Sequence, residues 1–197
     1  MEDQNPDIEA LALLEIEGIR TAVRAQDAAL KQAPVSVVAF APVTPGKVVF
    51  IFSGDVASVE ESLSVADVVA GSRRIDKLFL PGIHQSVVRA IHNHREVADN
   101  GCALGILELS SVAAGIQAAD TAIKTAEVTI LRVHPASGFG GKTFVTLAGE
   151  QCDVEAAVEA AVELTQEKTL DHEVIPMPHP EVDPNRFVRP WSLDPAD

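Results

Sequence analysis

The amino-acid sequence predicts an α+β protein made of two tandem ferredoxin-like domains, each running β-α-β-β-α-β. Three observations carry that prediction. The first is an internal repeat. A shift of 93 positions places Ala10, Leu11, Leu14, Glu15, Ala25, Asp27, Ala29, Lys31, Ala33, Val35 and Pro42 on identical residues between Ala103 and Pro135. Beyond a Gly-rich loop the shift becomes 95, and Lys47, Gly54, Val59, Glu60, Pro81, His84 and Val87 fall on Lys142, Gly149, Val154, Glu155, Pro176, His179 and Val182. A self-similarity this long decides architecture before any single element does. The second observation is the order of strand-like and helix-like segments, which is the same in both copies. The third is composition: 47% of residues are apolar, yet aromatics are only 4% and Tyr is absent. A core of Ala, Val, Leu and Ile suits close contact between helices and a sheet.

Taken in order, Ala10–Ile16 is a short apolar run ending before Gly18 and reads as a buried strand. From Gly18 to Ala33, Ile19, Ala22, Val23, Leu30 and Ala33 recur at helical spacing, and Pro34 stops the helix. Lys31 near its end suits the helix dipole. Val35–Ala41 is β-branched and strand-like, PVTPG is turn chemistry, and Lys47–Phe52 is the returning strand. Asp55 is placed to cap a second helix whose buried face is Val56, Val59, Leu63, Ala66 and Val69 or Ala70, with Gly71 ending it. Ile75–Leu80 is a fourth strand, closed by Pro81-Gly82, and His84–His92 a short helix. The second copy repeats the plan with strand 103–109, helix 111–125, strand 127–134, loop 135–141, strand 142–148, helix 152–166 and strand 170–176. The expected boundaries are a first domain at 8–92, a linker at 93–102, a second domain at 103–182 and a Pro-rich tail at 183–197. That tail is expected to be extended and to dock through Phe187 and the single Trp, Trp191.

Charge removes whole classes of partner. The net charge is −14 and no basic run exists, so the footprint a nucleic-acid surface needs is missing. No apolar stretch has the length of a membrane span, and MEDQNPD lacks the pattern of a secretion signal. Cys102 and Cys152 have no metal-ligand spacing and read as free thiols of a cytoplasmic protein. His92-Asn93-His94 sits in the polar linker with no third ligand in view, so no metal is expected. GFGGK leads from strand to strand rather than into a helix, which sets it apart from a phosphate-binding loop. No nucleophile–base pattern is present, no catalytic residue is assigned, and no enzymatic activity is expected. Glu15 and Glu108 recur as strand carboxylates and read as structural hydrogen-bond partners.

The segments ALGILELSSVAAGIQAADTAIKTAEV and GGKTFVTLAGEQCDVEAAVEAAVE resemble the shell domain of bacterial microcompartments, and ALALLEIEGIRTAVRAQDAALKQAPV is a weaker version of it. RVHPASGFGGK, LFLPGIHQSVVRAI and VIPMPHP are similar to the tandem-domain shell proteins, most of all those of propanediol-utilising compartments. The likeness covers residues 8–182, in the unpermuted order. It implies a homotrimer forming a pseudohexameric tile in the microcompartment shell, surrounded by hexameric and other shell proteins. Three chains carrying two wedges each close a ring without leftover edges.

The resemblance further implies that the hairpin loops line a central pore for small metabolites, with Thr44, Pro45 and Gly46 from the first copy. Ser137, Gly138, Phe139 and Gly140 come from the second. Apart from that family, Pro and Gly there are simply what a tight hairpin requires. Lys31 and Lys124 match a lysine on the tile edge, and His84 and His179 match the edge turn. Met177 stands where relatives often carry an Arg. The nearest members hold an iron–sulfur cluster through a Cys at the position of Thr44. A hydroxyl does not replace a thiolate ligand, so no cofactor is expected. Two other readings stay open here: a trimeric ferredoxin-like regulator binding a small effector, and a shell protein with a pore-bound cluster.

Overall fold

The computed structural model describes residues 8–91, 102–136, 138–179 and 181–182. Ser137, the His92-Asn93-His94 segment and the tail with Phe187 and Trp191 lie outside them. The first unit, Met1–Gln85, contains β1 (Ala10–Glu17), α1 (Ile19–Gln32), β2 (Ser36–Val43), β3 (Lys47–Gly54), α2 (Val56–Ala70) and β4 (Arg74–Pro81). A one-turn 3-10 helix, Gly71–Arg73, links α2 to β4. A short helix, α3 (Gln85–Ile91), lies at the division between the units. The second unit contains β5 (Ala103–Leu109), α4 (Val112–Thr125), β6 (Val128–His134), β7 (Thr143–Gly149), α5 (Gln151–Thr165) and β8 (Thr169–Ile175).

Each unit folds around one antiparallel sheet, ordered β2-β3-β1-β4 in the first and β6-β7-β5-β8 in the second. That is the ferredoxin-like order, with the first strand of each copy in the middle. The central position explains why Ala10–Ile16 is apolar without alternation. Ala10, Ala12, Leu14 and Ile16 face the helices in one cluster with Phe50 and Phe52. The opposite face, Leu11 and Leu13 with Val49 and Ile51, is buried as well.

The caps follow the sequence. Asp55 accepts a hydrogen bond from the Ser58 N–H at 2.9 Å and starts α2, and the Ser58 hydrogen bonds hold its carboxyl below the usual range. Gly71 ends the helix at φ 53, a conformation that suits Gly. Ser111 caps α4 through Ala114.

One expectation is corrected. The aliphatic side chains Ile19, Val23 and Leu30 do not form the buried face of α1. They are 55%, 48% and 44% exposed, while Ala22, Ala25 and Ala29 are the residues turned into the core. Alanine lets the helix approach its sheet and α2 closely, and the larger residues occupy the adjacent outward strip. On α2, Val56 is likewise exposed and Ser62 buried, its hydroxyl donating to the Ala29 carbonyl at 3.1 Å.

The second unit relies on a close approach at Gly115. A methyl group there would lie 2.2 Å from Thr143 Cγ2, on a fully buried residue of β7. Gly115→Ala is therefore expected to lower the thermal midpoint by several degrees, because overpacking of about 1–3 kcal/mol exceeds the roughly 1 kcal/mol that Ala adds as a better helix former. Adding Thr143→Ala should restore most of the loss. A midpoint that rises in the single variant would show slack between α4 and β7.

Candidate functional site

Strand register sorts the singled-out residues into two groups at opposite ends of each sheet. Ala10 pairs with both Gly54 and Pro81, and Ser36 with Ser53. The end of α1 carrying Lys31 and the turn carrying His84 therefore share one end of the first sheet. The hairpin loop with Thr44, Pro45 and Gly46 sits at the other. An eight-residue strand separates the two, about 25 Å at the usual rise. The second unit repeats this division: Ala103 and Val128 both pair with Gly149, and Leu104 with Ile175. Lys124 and His179 thus lie at the end away from Gly138, Phe139 and Gly140.

At the loop end, Thr44, Pro45 and Gly46 are exposed, and the Thr44–Pro45 peptide is cis. The Gly46 N–H donates to the Val43 carbonyl at 3.0 Å, and the Gly46 carbonyl accepts from Gly18 at 3.3 Å. The loop amide is thus used within the turn, and the loop rests on the β1–α1 junction. In the second unit Gly138, Phe139 and Gly140 are exposed. Ala136 takes a positive φ of 65, as Gly138, Gly140 and Gly141 also do, and in the first loop Gly46 alone has a positive φ, of 119.

The repeated carboxylates are structural hydrogen-bond partners, as read from the sequence, and their partners are the lysines that follow the loops. Lys47 Nζ donates to Glu15, with side chains only 7% and 0% exposed. Lys142 Nζ donates to Glu108 at 2.5 Å, with side chains 48% and 27% exposed. Each loop therefore ends on a lysine tied back to the middle strand of its own sheet. These lysines anchor the loops and do not lend them free positive charge. The signal in the sequence was the recurrence of both residues, but Glu15 and Lys47 are 32 positions apart, and only strand pairing brings them together.

Phe139 is held from below. It meets the His134 and Phe144 rings edge-on at 6.5 and 5.6 Å between centroids, and those two rings stack at 4.7 Å. Lys142 Nζ lies 5.9 Å from the Phe139 ring centre and Arg132 the same distance from Phe144. Arg132 and His134 are themselves buried and 3.2 Å apart, Nη2 to Nδ1. Phe139 keeps 37% of its surface exposed, so it is an anchored side chain with one open face.

At the other end, Lys31 donates to Asp27 at 2.7 Å and Lys124 to Asp120 at 2.5 Å, each one helical turn earlier. Both lysines stay exposed, as do His84, His179 and Met177. His179 Nδ1 accepts from the Glu181 N–H at 3.3 Å. Cys102 is half-buried beside Leu104, and Cys152 is exposed at the start of α5. Among the described residues, no three His, Cys, Asp or Glu side chains converge as a metal site would need. No helix among them is long and apolar enough to cross a membrane.

Comparison with known proteins is consistent from sequence to fold. The BMC domain family matches twice, at residues 10–83 and 103–178. The bacterial microcompartment shell protein PduT of Citrobacter freundii is 42% identical over 173 residues, covering 87% of this chain and 94% of that protein. A crystal structure of a microcompartment protein from Desulfitobacterium hafniense superposes with a TM-score of 0.79 at 39% identity, over 87% of this chain and 96% of that one. A fused permuted hexameric shell protein of the RMM microcompartment shares the fold, with a TM-score of 0.60 at 23% identity, covering 79% of this chain and 81% of that one.

Proposed function

The chain belongs to the BMC-domain family of bacterial microcompartment shell proteins, with two domains in tandem, and from that membership we propose that it forms a trimeric, pseudohexameric tile with a central pore. Its role is structural and it has no catalytic activity of its own. The domain boundaries read from the sequence, 8–92 and 103–182 around a linker at 93–102, define the two wedges of the tile.

The observation that carries the trimer is an inequality between equivalent positions. Ile19 and Val23 on α1 are half-exposed, whereas their counterparts on α4, Val112 and Ile116, are 0% exposed. On the following strand Val37 is 42% exposed and its counterpart Ile130 only 1%. The far side shows the reverse. Val87 is fully buried, and its counterpart Val182 is 50% exposed. One chain thus bears a bare apolar strip on α1 and β2 whose equivalent in the second copy is covered. A surface of that kind is satisfied by head-to-tail contact with further copies, and three chains of two wedges close the ring.

Light scattering should give three chains of 20.9 kDa, about 63 kDa in all. Ile19→Asp with Val23→Asp should reduce the mass to that of one chain with the helical signal retained. A wild-type chain that stays monomeric at high concentration overturns the proposal.

In this tile Thr44, Pro45, Gly46, Ser137, Gly138, Phe139 and Gly140 line the opening, while Lys31, Lys124, His84 and His179 stand on the rim against other shell proteins. No loop position carries an ionised side chain, and the flanking lysines are neutralised by Glu15 and Glu108. In a chain of net charge −14 an uncharged opening is a locally less repulsive path for anions and small polar neutrals. Phe139, packed against His134 and Phe144 with one face open, is the bulky side chain that sets the width.

A further inference from the structure

The second repeat carries an acidic-rimmed surface groove. The groove, of about 520 Å³, runs between α5 and β8. Its floor is Val158, Val162 and Val174, and its rim on α5 is Glu155, Glu159 and Glu163, spaced one turn apart. No lysine or arginine lines it, and His172 is the one basic side chain at its margin. In the first repeat ion pairs bridge the matching place. Asp67 stands at the position of Val162 and is bonded by Arg74 and by Lys77, the latter at 2.7 Å. Burial raises the Asp67 carboxyl, but the hydrogen bonds from Lys77 and Arg74 outweigh it and hold the group below the usual range. The copy with this groove is the copy that the C-terminal tail follows.

Within the tail, residues 183–197, the stretch between Asp183 and Asp194 is basic and apolar, and it is this stretch that complements the groove. In a chain of 15 bases against 29 acids, Arg186 and Arg189 lie within NRFVRPW, alongside Phe187, Val188 and the only Trp. After β8 the Val182 N–H donates to the His179 carbonyl at 2.8 Å, the hydrogen bond of a reverse turn. From Val182 to Trp191 nine residues reach up to about 30 Å, whereas α5 from Glu155 to Glu163 spans only about 12 Å.

We propose that the C-terminal segment Arg186–Trp191 docks into the α5–β8 groove of its own chain. Arg186 and Arg189 meet the glutamates of α5, and Phe187 or Trp191 covers the valine floor. The tail thereby does for the second repeat what Asp67, Arg74 and Lys77 do for the first: it bridges helix and edge strand.

Trp191, as the single tryptophan, reports on this directly. In the full-length protein its iodide quenching constant should be about threefold below that of the isolated 183–197 peptide, as for an indole packed on one face. Arg186→Glu with Arg189→Glu should raise it to the peptide value, and added salt should move the wild type the same way. Glu155→Gln, Glu159→Gln and Glu163→Gln together, all exposed positions on a helix, should do likewise with the circular dichroism unchanged. Combining the arginine reversals with Glu159→Arg and Glu163→Arg should restore protection. Quenching equal to the peptide in the wild type overturns the proposal. So does protection that ignores the glutamate variants, which places the tail elsewhere, or that disappears on dilution, which places it on another copy. If a labelled 183–197 peptide binds the intact chain at this groove while Trp191 stays free, the groove serves another protein's segment and the inference falls. None of these readouts depends on shell assembly, so failure here leaves the shell role standing.

Discussion

Replacing Glu15 with Ala is expected to cost about 3–5 kcal/mol of stability, the usual loss when a buried charge is deprived of its partner. Lys47 is 7% exposed and donates to a carboxylate that is 0% exposed. Both residues have further interactions as well. The duplicated pair provides the comparison. Lys142 and Glu108 are 48% and 27% exposed, so water takes over when Glu108 is removed, and Glu108→Ala should cost about 1 kcal/mol or less. Urea unfolding of the two variants tests the difference. A third variant separates charge from shape: Glu15→Leu with Lys47→Met removes both ions and should recover most of the stability, since a well-packed apolar pair often equals a buried ion pair. Equal losses for Glu15→Ala and Glu108→Ala would mean that burial does not control the pair's contribution.

The second large effect concerns assembly. Lys31→Asp with Lys124→Asp is expected to leave trimers intact and to abolish their incorporation into sheets or shells with hexameric partners. Each substitution removes a cation that the proposed tile carries on its rim and sets a new acid one turn from Asp27 or Asp120. Every edge of an already acidic tile would then present like charge to its neighbour, which repels at contact. Asp120 is only 4% exposed, so the reversal at Lys124 also strains its own helix. Lys124→Gln with Lys31→Asp is the gentler companion and should still block tiling. Electron micrographs showing normal sheets from folded, trimeric double variants would reduce these lysines to solvated helix ends.

Much of this was legible in the residues alone. The repeat offsets, the stop at Pro34, the cap at Asp55 and the Gly71 terminus are local chemistry, and local chemistry survives into the fold. The tandem order followed because two copies of one plan leave little topological choice. Other features depend on distances along the chain that no window spans. Helical spacing revealed an apolar strip on α1, but it did not tell which of two neighbouring strips, alanine or aliphatic, faces the sheet. The answer depends on how closely α1 approaches, and the wider strip is left for contacts beyond the unit. The Glu15–Lys47 pair required the register of β1 against β3, in which Glu15 lies opposite Val49 and Glu17 opposite Lys47. The packing of Phe139 was not legible because its partners, His134 and Phe144, belong to the strands on either side. The 3-10 turn at Gly71–Arg73 escaped notice because Gly71 reads equally well as a plain stop.

The unequal anchoring of the two loops also separates them in time. The first loop ends on an ion pair sealed inside the sheet, so freeing it requires opening the strands themselves, an event close to unfolding of that unit. The second is held by a pair that water already reaches and by an aromatic clamp with one face open. Its excursions are therefore those of a surface loop, nanoseconds to microseconds. In a ring where the two alternate, three positions around the opening stay still while the three between them fluctuate. A molecule crossing would meet a rigid frame fitted with quick, independent shutters.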